Sequence, residues 1–113
     1  MATIKSYSDL EQSRKLAEIL PIESADMFLA MNGTIPVMSK YIDDGLVTAD
    51  ETAIPCWSLA ALLGILTKQD FIIKTIGNEF NIDIPIRHCK IWFSSLLDAA
   101  FEMIVWLKEN GKI

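Results

Sequence analysis

Apolar side chains surround the helix predicted over residues 95–110 on almost every side. At about 100° per residue, Asp98, Glu102 and Glu109 fall within an arc of about 40°, with Lys108 on its flank. The rest of the circumference carries Leu96, Leu97, Ala99, Ala100, Phe101, Met103, Ile104, Trp106 and Leu107. A surface helix shows one apolar stripe, whereas a helix with a single polar ridge must be covered from several directions. The pattern therefore predicts a central core helix, a helix shared with a partner chain, or both. Ser94 or Ser95 opens it and Asn110-Gly111 ends it, with Asp98 and Lys108 placed to suit its dipole.

Upstream, Ser8 and Glu11 have capping-box spacing, and Leu10, Leu16, Ala17 and Leu20 share a helical face that stops at Pro21. A second short helix is expected from Ser24, carrying Met27, Phe28 and Met31 before Asn32-Gly33. Ile35, Val37, Tyr41-Ile42 and Leu46-Val47 flank the turn signal Asp43-Asp44-Gly45, which predicts short extended pieces or a loose hairpin. Ser58 then caps a helix in which Leu59, Leu62, Leu63 and Leu66 follow the 0, 3, 4, 7 pattern. Gly64 inside it costs about 1 kcal/mol relative to alanine. Close approach of another helix over Ala60 and Gly64, with Ala99 and Ala100 as the matching surface, is the expected compensation.

Period-two alternation follows. Phe71, Ile73 and Thr75 face one way and Ile72, Lys74 and Ile76 the other, until Gly77-Asn78 turns the chain. Ile82, Ile84 and Ile86 hold even positions, but Cys89, Ile91 and Phe93 hold odd ones. A continuous strand cannot change phase without flipping its core face, so a bulge or break is expected near Arg87–His88. The elements together predict a single α+β domain over residues 1–113. It has three or four helices around a small antiparallel sheet, with the C-terminal helix central.

Composition narrows the function classes. The chain has 113 residues, 51% of them apolar, enough for one core of ordinary size. Its longest uncharged stretch, 52–67, is interrupted by Pro55 and Gly64 and is shorter than the roughly 20 residues of a membrane span. No apolar run precedes Asp9 and Glu11, so a secretory leader is not expected, and an intracellular, cytoplasmic protein is. Cys56 and Cys89 are then reduced thiols, read as small buried hydrophobes. The net charge of −5 comes from residues 1–66, with nine acidic and four basic side chains, while residues 67–113 hold six of each. With no basic cluster, nucleic acid is not an expected partner.

Little of the chain assembles into chemistry. His88 is the only histidine, and two cysteines with one histidine fall short of a closed zinc site. His88 and Cys89 are neighbours in an extended stretch, where side chains point to opposite faces, so they make a poor base–nucleophile pair. The 5 glycines are too scattered for a phosphate loop. Asp43-Asp44-Gly45 lacks calcium-loop spacing, and Asp98 with Glu102 reads as a wet helical ridge. No catalytic, cofactor-binding or metal-binding residue is assigned, and no cofactor. Trp57, Phe101 and Trp106 remain as candidate interface or pocket residues, since large aromatics anchor interfaces.

The stretches Ile-Pro-Cys-Trp-Ser-Leu-Ala-Ala-Leu-Leu at 54–63 and Asp-Ala-Ala-Phe-Glu-Met-Ile-Val-Trp-Leu-Lys-Glu-Asn-Gly at 98–111 resemble two signature stretches. They belong to a small family of uncharacterised proteins from gut anaerobic bacteria, their phages and mobile elements. The segments at 11–17 and 24–27 resemble it too, whereas residues 32–51 do not, and Thr67 stands where relatives tend to have proline. The resemblance implies an intracellular α+β protein and supplies no catalytic residue. The expected function is a non-enzymatic accessory or adaptor acting through protein contacts, homodimeric and with a further protein partner open, encoded by a phage or mobile element. The alternative is a small ligand binder or enzyme with a pocket near Trp57, Cys56 and His88.

Overall fold

Helix α1 spans Leu10–Ile19, and Asp9 rather than Ser8 caps it. In the computed structural model, which describes residues 5–30, 35–38, 54–88 and 90–113, the Asp9 carboxylate accepts from Gln12 N at 2.8 Å. Gln12 Oε1 accepts in turn from Asp9 N at 3.2 Å, so the capping box sits one residue later than expected. Ser8 is unavailable because it is fully buried, with its hydroxyl 2.7 Å from Ser13 Oγ. The inner face of α1 carries Ser13 and Leu16; Ala17, expected there, is exposed.

Met27, Phe28 and Leu29 form a strand, which corrects the expected second helix. Only a single 3₁₀ turn, Ile22–Ser24, precedes strand β1, Met27–Ala30. A four-residue apolar run does not distinguish the two periods. Neighbours decide it, because β2 (Ile35–Met38) and β3 (Ile54–Cys56) pair antiparallel with β1 on either side. Leu29 lies opposite Pro36 in one and Ile54 in the other. Pro36 and Pro55 are both in flanking strands, where a missing N–H is tolerated. The extended piece expected around Ile35 and Val37 is thus β2. Asn32-Gly33 and the remainder of the expected hairpin, from Tyr41 to Val47, lie outside the described residues.

Helix α2, Leu59–Leu66, starts where its leucine pattern predicts, with Ser58 Oγ accepting from Ala61 N at 3.1 Å. Leu62 and Leu66 are fully buried. Gly64 and Ala60 are exposed, and an added Cβ at Gly64 meets no atom within 4 Å. The close helix approach expected over this small-residue face is therefore absent, and leucines carry the packing instead.

Strands β4 (Ile72–Ile76) and β5 (Glu79–Asp83) form a hairpin closed by Gly77-Asn78. Gly77 has φ +59°, the left-handed conformation that primed two-residue turns require. Beyond β5, Ile84 and Arg87 exchange two backbone hydrogen bonds of 3.0 Å around Pro85-Ile86. The chain then returns along β5, where Phe93 pairs with Phe80. The phase change is thus a full reversal centred on Pro85-Ile86, slightly before the expected position.

Helix α3, Leu96–Glu109, is central, as its sequence predicts. It packs against α1, α2 and β5 and buries Leu97, Ala99, Ala100, Met103, Ile104 and Leu107. Glu102, Lys108 and Glu109 form the wet ridge. Leu16, Trp57, Leu62, Leu66, Ile82 and Ile84 join α3 in the main core; Met27, Leu29 and Cys56 form a smaller cluster under the three-stranded sheet. The architecture is α+β, with three helices and two small antiparallel sheets among the described residues.

Open space at Gly64 fixes the sign of one substitution. Gly64→Ala should stabilise the fold by about 0.5–1 kcal/mol through helix propensity alone. Urea melts check it, and a lowered midpoint would mean that another backbone does approach this face.

Candidate functional site

The corner joining β3 to α2 places the first candidate. Trp57 N donates to Ser8 Oγ at 3.1 Å, and Trp57 O accepts from Ser8 N at 2.8 Å. Its indole Nε1 donates to Ser24 Oγ at 2.9 Å, and the side chain is fully buried. Trp57 is therefore a core anchor whose polar edge is satisfied, as buried tryptophan requires. Phe101 and Trp106 are half-buried against the same core. The Arg87 guanidinium lies over the Trp106 ring, 5.0 Å from its centroid, a cation–π contact that covers part of the indole.

Cys56 is fully buried beside Ser8, with Sγ 3.3 Å from Ser8 O, and burial pushes its thiol up from the ordinary value. A protonated, enclosed thiol is a poor nucleophile. His88 belongs to different surroundings, being exposed, with Nδ1 3.6 Å from Asp83 Oδ2. It lines a cleft of about 220 Å³ with Asp70, Phe71, Ile72, Lys74, Asp83, Ile84 and Pro85. Among the described residues, no hydroxyl or thiol lines that cleft. Neither Trp57 nor Cys56 lines that cleft, and Cys89 lies outside the described residues.

A second cleft, of about 340 Å³, opens between the N-terminal segment and the start of α3. Lys5, Ser6, Tyr7, Asp9, Ser94, Ser95 and Asp98 line it. Lys5 Nζ lies 2.8 Å from Asp98 Oδ1 and 3.0 Å from Asp9 Oδ2, and Gln12 Nε2 donates to the same Asp98 oxygen at 2.8 Å. Burial works against the charged forms, but the hydrogen bonds and opposite charges outweigh it. Lys5 is therefore held above its ordinary value, and Asp98 and Asp9 below theirs. At neutral pH the lysine is neither base nor nucleophile and the carboxylates are not acids. The group is a tie between chain start and central helix rather than a proton-transfer site.

Exposed apolar surface gathers elsewhere, on the β4–β5 hairpin. Ile72, Ile73 and Ile76 are 64%, 39% and 68% exposed, and Ile86 and Ile91 in the returning segment are also open. Lys74, between them, is bound to the buried Asp83 at 2.5 Å. Sequence alone misses this surface because a strand apolar on both faces reads as doubly buried. It misses the Lys5–Asp98 tie because the partners are 93 residues apart, beyond any local pattern. Among the described residues, no group of three or more His, Cys, Asp or Glu is placed to hold a metal ion, and no helix is long and apolar enough to cross a membrane. No family model, curated protein or solved structure matches the chain.

Two measurements test these assignments. Asp98→Asn should cost about 1–2 kcal/mol at pH 7 by breaking charge-assisted hydrogen bonds to Lys5 and Gln12. Because the folded carboxyl titrates below the ordinary 3.8, that stability is present above this value and lost as pH falls through the lowered one. Denaturant melts of both proteins should therefore converge in acid, and a pH-independent gap would assign the loss to packing. Trp57→Ala should cost about 3–5 kcal/mol, as a fully buried large aromatic does. A variant with an unchanged melting curve would put Trp57 on the surface.

Proposed function

We propose that this chain is a non-enzymatic accessory or adaptor protein that works through protein contacts made by the β4–β5 hairpin. One observation carries the reading: a strand whose five residues are all exposed includes three large isoleucines on an edge strand. Monomeric proteins blunt such edges or cover them, and contiguous exposed apolar surface marks contact sites. Two of the clefts lend the alternative less support: in the Lys5 cleft the charged groups are tied to one another, and among the described residues no hydroxyl or thiol lines the His88 cleft. The resemblance carried by residues 54–63 and 98–111 adds a setting for such an adaptor, a bacterial cytoplasm in which a phage or mobile element encodes it.

Replacing Ile72 and Ile76 with threonine keeps the β-branch and removes the apolar tips, so the double variant should melt within about 1 kcal/mol of the wild type. Quantitative pull-downs from the native host, with bait at natural abundance, should show contacts that the folded Ile72→Thr/Ile76→Thr protein loses. Cys56→Ala and His88→Gln, normalised to folded protein, should keep them. A double variant that is folded and retains every contact overturns the proposal. A folded His88→Gln protein that loses them moves the function to the small-ligand reading.

A further inference from the structure

The backbone of the hairpin states what its open edge can accept. Phe80 gives both main-chain groups to Phe93, donating at 2.8 Å and accepting at 2.9 Å. Phe80 and Thr75, which face each other across the hairpin, are therefore a non-hydrogen-bonded pair. Antiparallel ladders alternate, so Ile72, Lys74 and Ile76 bond to β5, while the N–H and C=O groups of Ile73 and Thr75 point away from it. Among the described residues, nothing pairs with that edge.

We propose that a second copy of this chain fills it, pairing antiparallel along β4 about a two-fold axis through Lys74, in the order β5-β4-β4-β5. This rests on reading the hairpin as a contact surface and names its occupant. The outward groups permit symmetric registers centred on Ile73, Lys74 or Thr75. Centred on Lys74, Ile73 exchanges both backbone bonds with the partner's Thr75, and symmetry repeats the exchange to give four bonds. Ile72 then faces the partner's Ile76 at both ends, so every exposed isoleucine on that face gains an apolar neighbour. Centring on Ile73 or Thr75 sets an isoleucine against Lys74 and leaves another without an opposite residue.

Lysine in an edge strand normally blocks pairing through its unpaired charge. Lys74 has lost that function, because the buried Asp83 of its own chain neutralises it at 2.5 Å. Two Lys74–Asp83 pairs thus meet across the axis with no net repulsion. The complementary strand must offer isoleucine, neutralised lysine and isoleucine at alternate positions, and β4 is itself that strand.

Light scattering on the full chain across a micromolar dilution series should give twice the chain mass. Thr75→Pro removes an N–H directed only at the open edge, so it should halve the mass while keeping the circular dichroism spectrum. Register is tested separately in a Cys89→Ser background. Opposite residues of a non-hydrogen-bonded pair lie about 4.5 Å apart at Cα, within disulfide range. An equimolar mixture of Ile72→Cys and Ile76→Cys proteins should therefore cross-link under mild oxidation, while neither does alone. Self-cross-linking of either single variant, or a folded Thr75→Pro protein that keeps the double mass, overturns the proposal. So does a monomeric wild type, which would leave a strand of another protein as occupant. If that monomer still loses host contacts on Ile72→Thr/Ile76→Thr substitution, the contact reading survives without the dimer; if the contacts persist, both fail.

Discussion

Trp57 is where the two halves of this molecule are fastened, and the remaining contacts depend on its enclosure. Its backbone is held on both sides by Ser8, its indole is tied to Ser24, and Ser58 beside it donates from N and Oγ to the Asp26 carboxylate. These bonds bring the N-terminal segment, the approach to β1 and the start of α2 to one corner. The neighbouring Cys56 belongs to the cluster under the three-stranded sheet, whereas Trp57 belongs to the main core. One peptide unit therefore joins two apolar clusters. Such a corner is stable only if every buried polar group there finds a partner, because an orphaned one costs about 1–3 kcal/mol. Ser8 shows the consequence: with its hydroxyl shared among Ser13 and Trp57, it cannot cap α1, and Asp9 takes that place.

The same economy of polar groups explains the central helix. A helix covered on most sides has few places where its first-turn amides can meet water. Ser95 Oγ accepts from Asp98 N, and Asp98 then turns its carboxylate to Lys5 and Gln12. A negative charge in the first turn also suits the helix dipole. Asp98 is thus less a member of the wet ridge than a bolt between α3 and the chain start, which Glu102 and Glu109 are not.

Sequence pattern reveals elements where local chemistry decides and fails where distant neighbours do. α2 and α3 start at the serines their apolar periods predict, since capping and periodicity are local properties. The β4–β5 hairpin follows from alternation around Gly77-Asn78. Met27 to Ala30 was illegible, because four apolar residues become a strand only when β2 and β3 arrive on both sides. Gly64 misled for the opposite reason: its cost suggests a compensating contact, but the helix tolerates it on an open face. The candidate surface was hidden twice over. Large aromatics point to Trp57, which burial removes from the surface, and the alternation of β4 does not say which of its faces is covered.

Exposed isoleucines on an open edge would favour propagation into fibres unless the other edge of the sheet is blocked. Open edges add strands without limit when both sides of a sheet are free. Here only one is. On the far side of β5 the chain turns at Pro85-Ile86 and comes back, Phe93 pairs with Phe80, and Asn81 Nδ2 donates to Ile91 O. The returning segment occupies the edge that a further strand would need. A sheet built by pairing two β4 strands therefore ends, on both outer sides, in edges already covered by their own chains. Closed two-fold association is the outcome such geometry allows, in contrast to the head-to-tail contacts that generate filaments. The turn at Pro85-Ile86, which first shows in the sequence as a mere change of phase, is what would limit the proposed assembly.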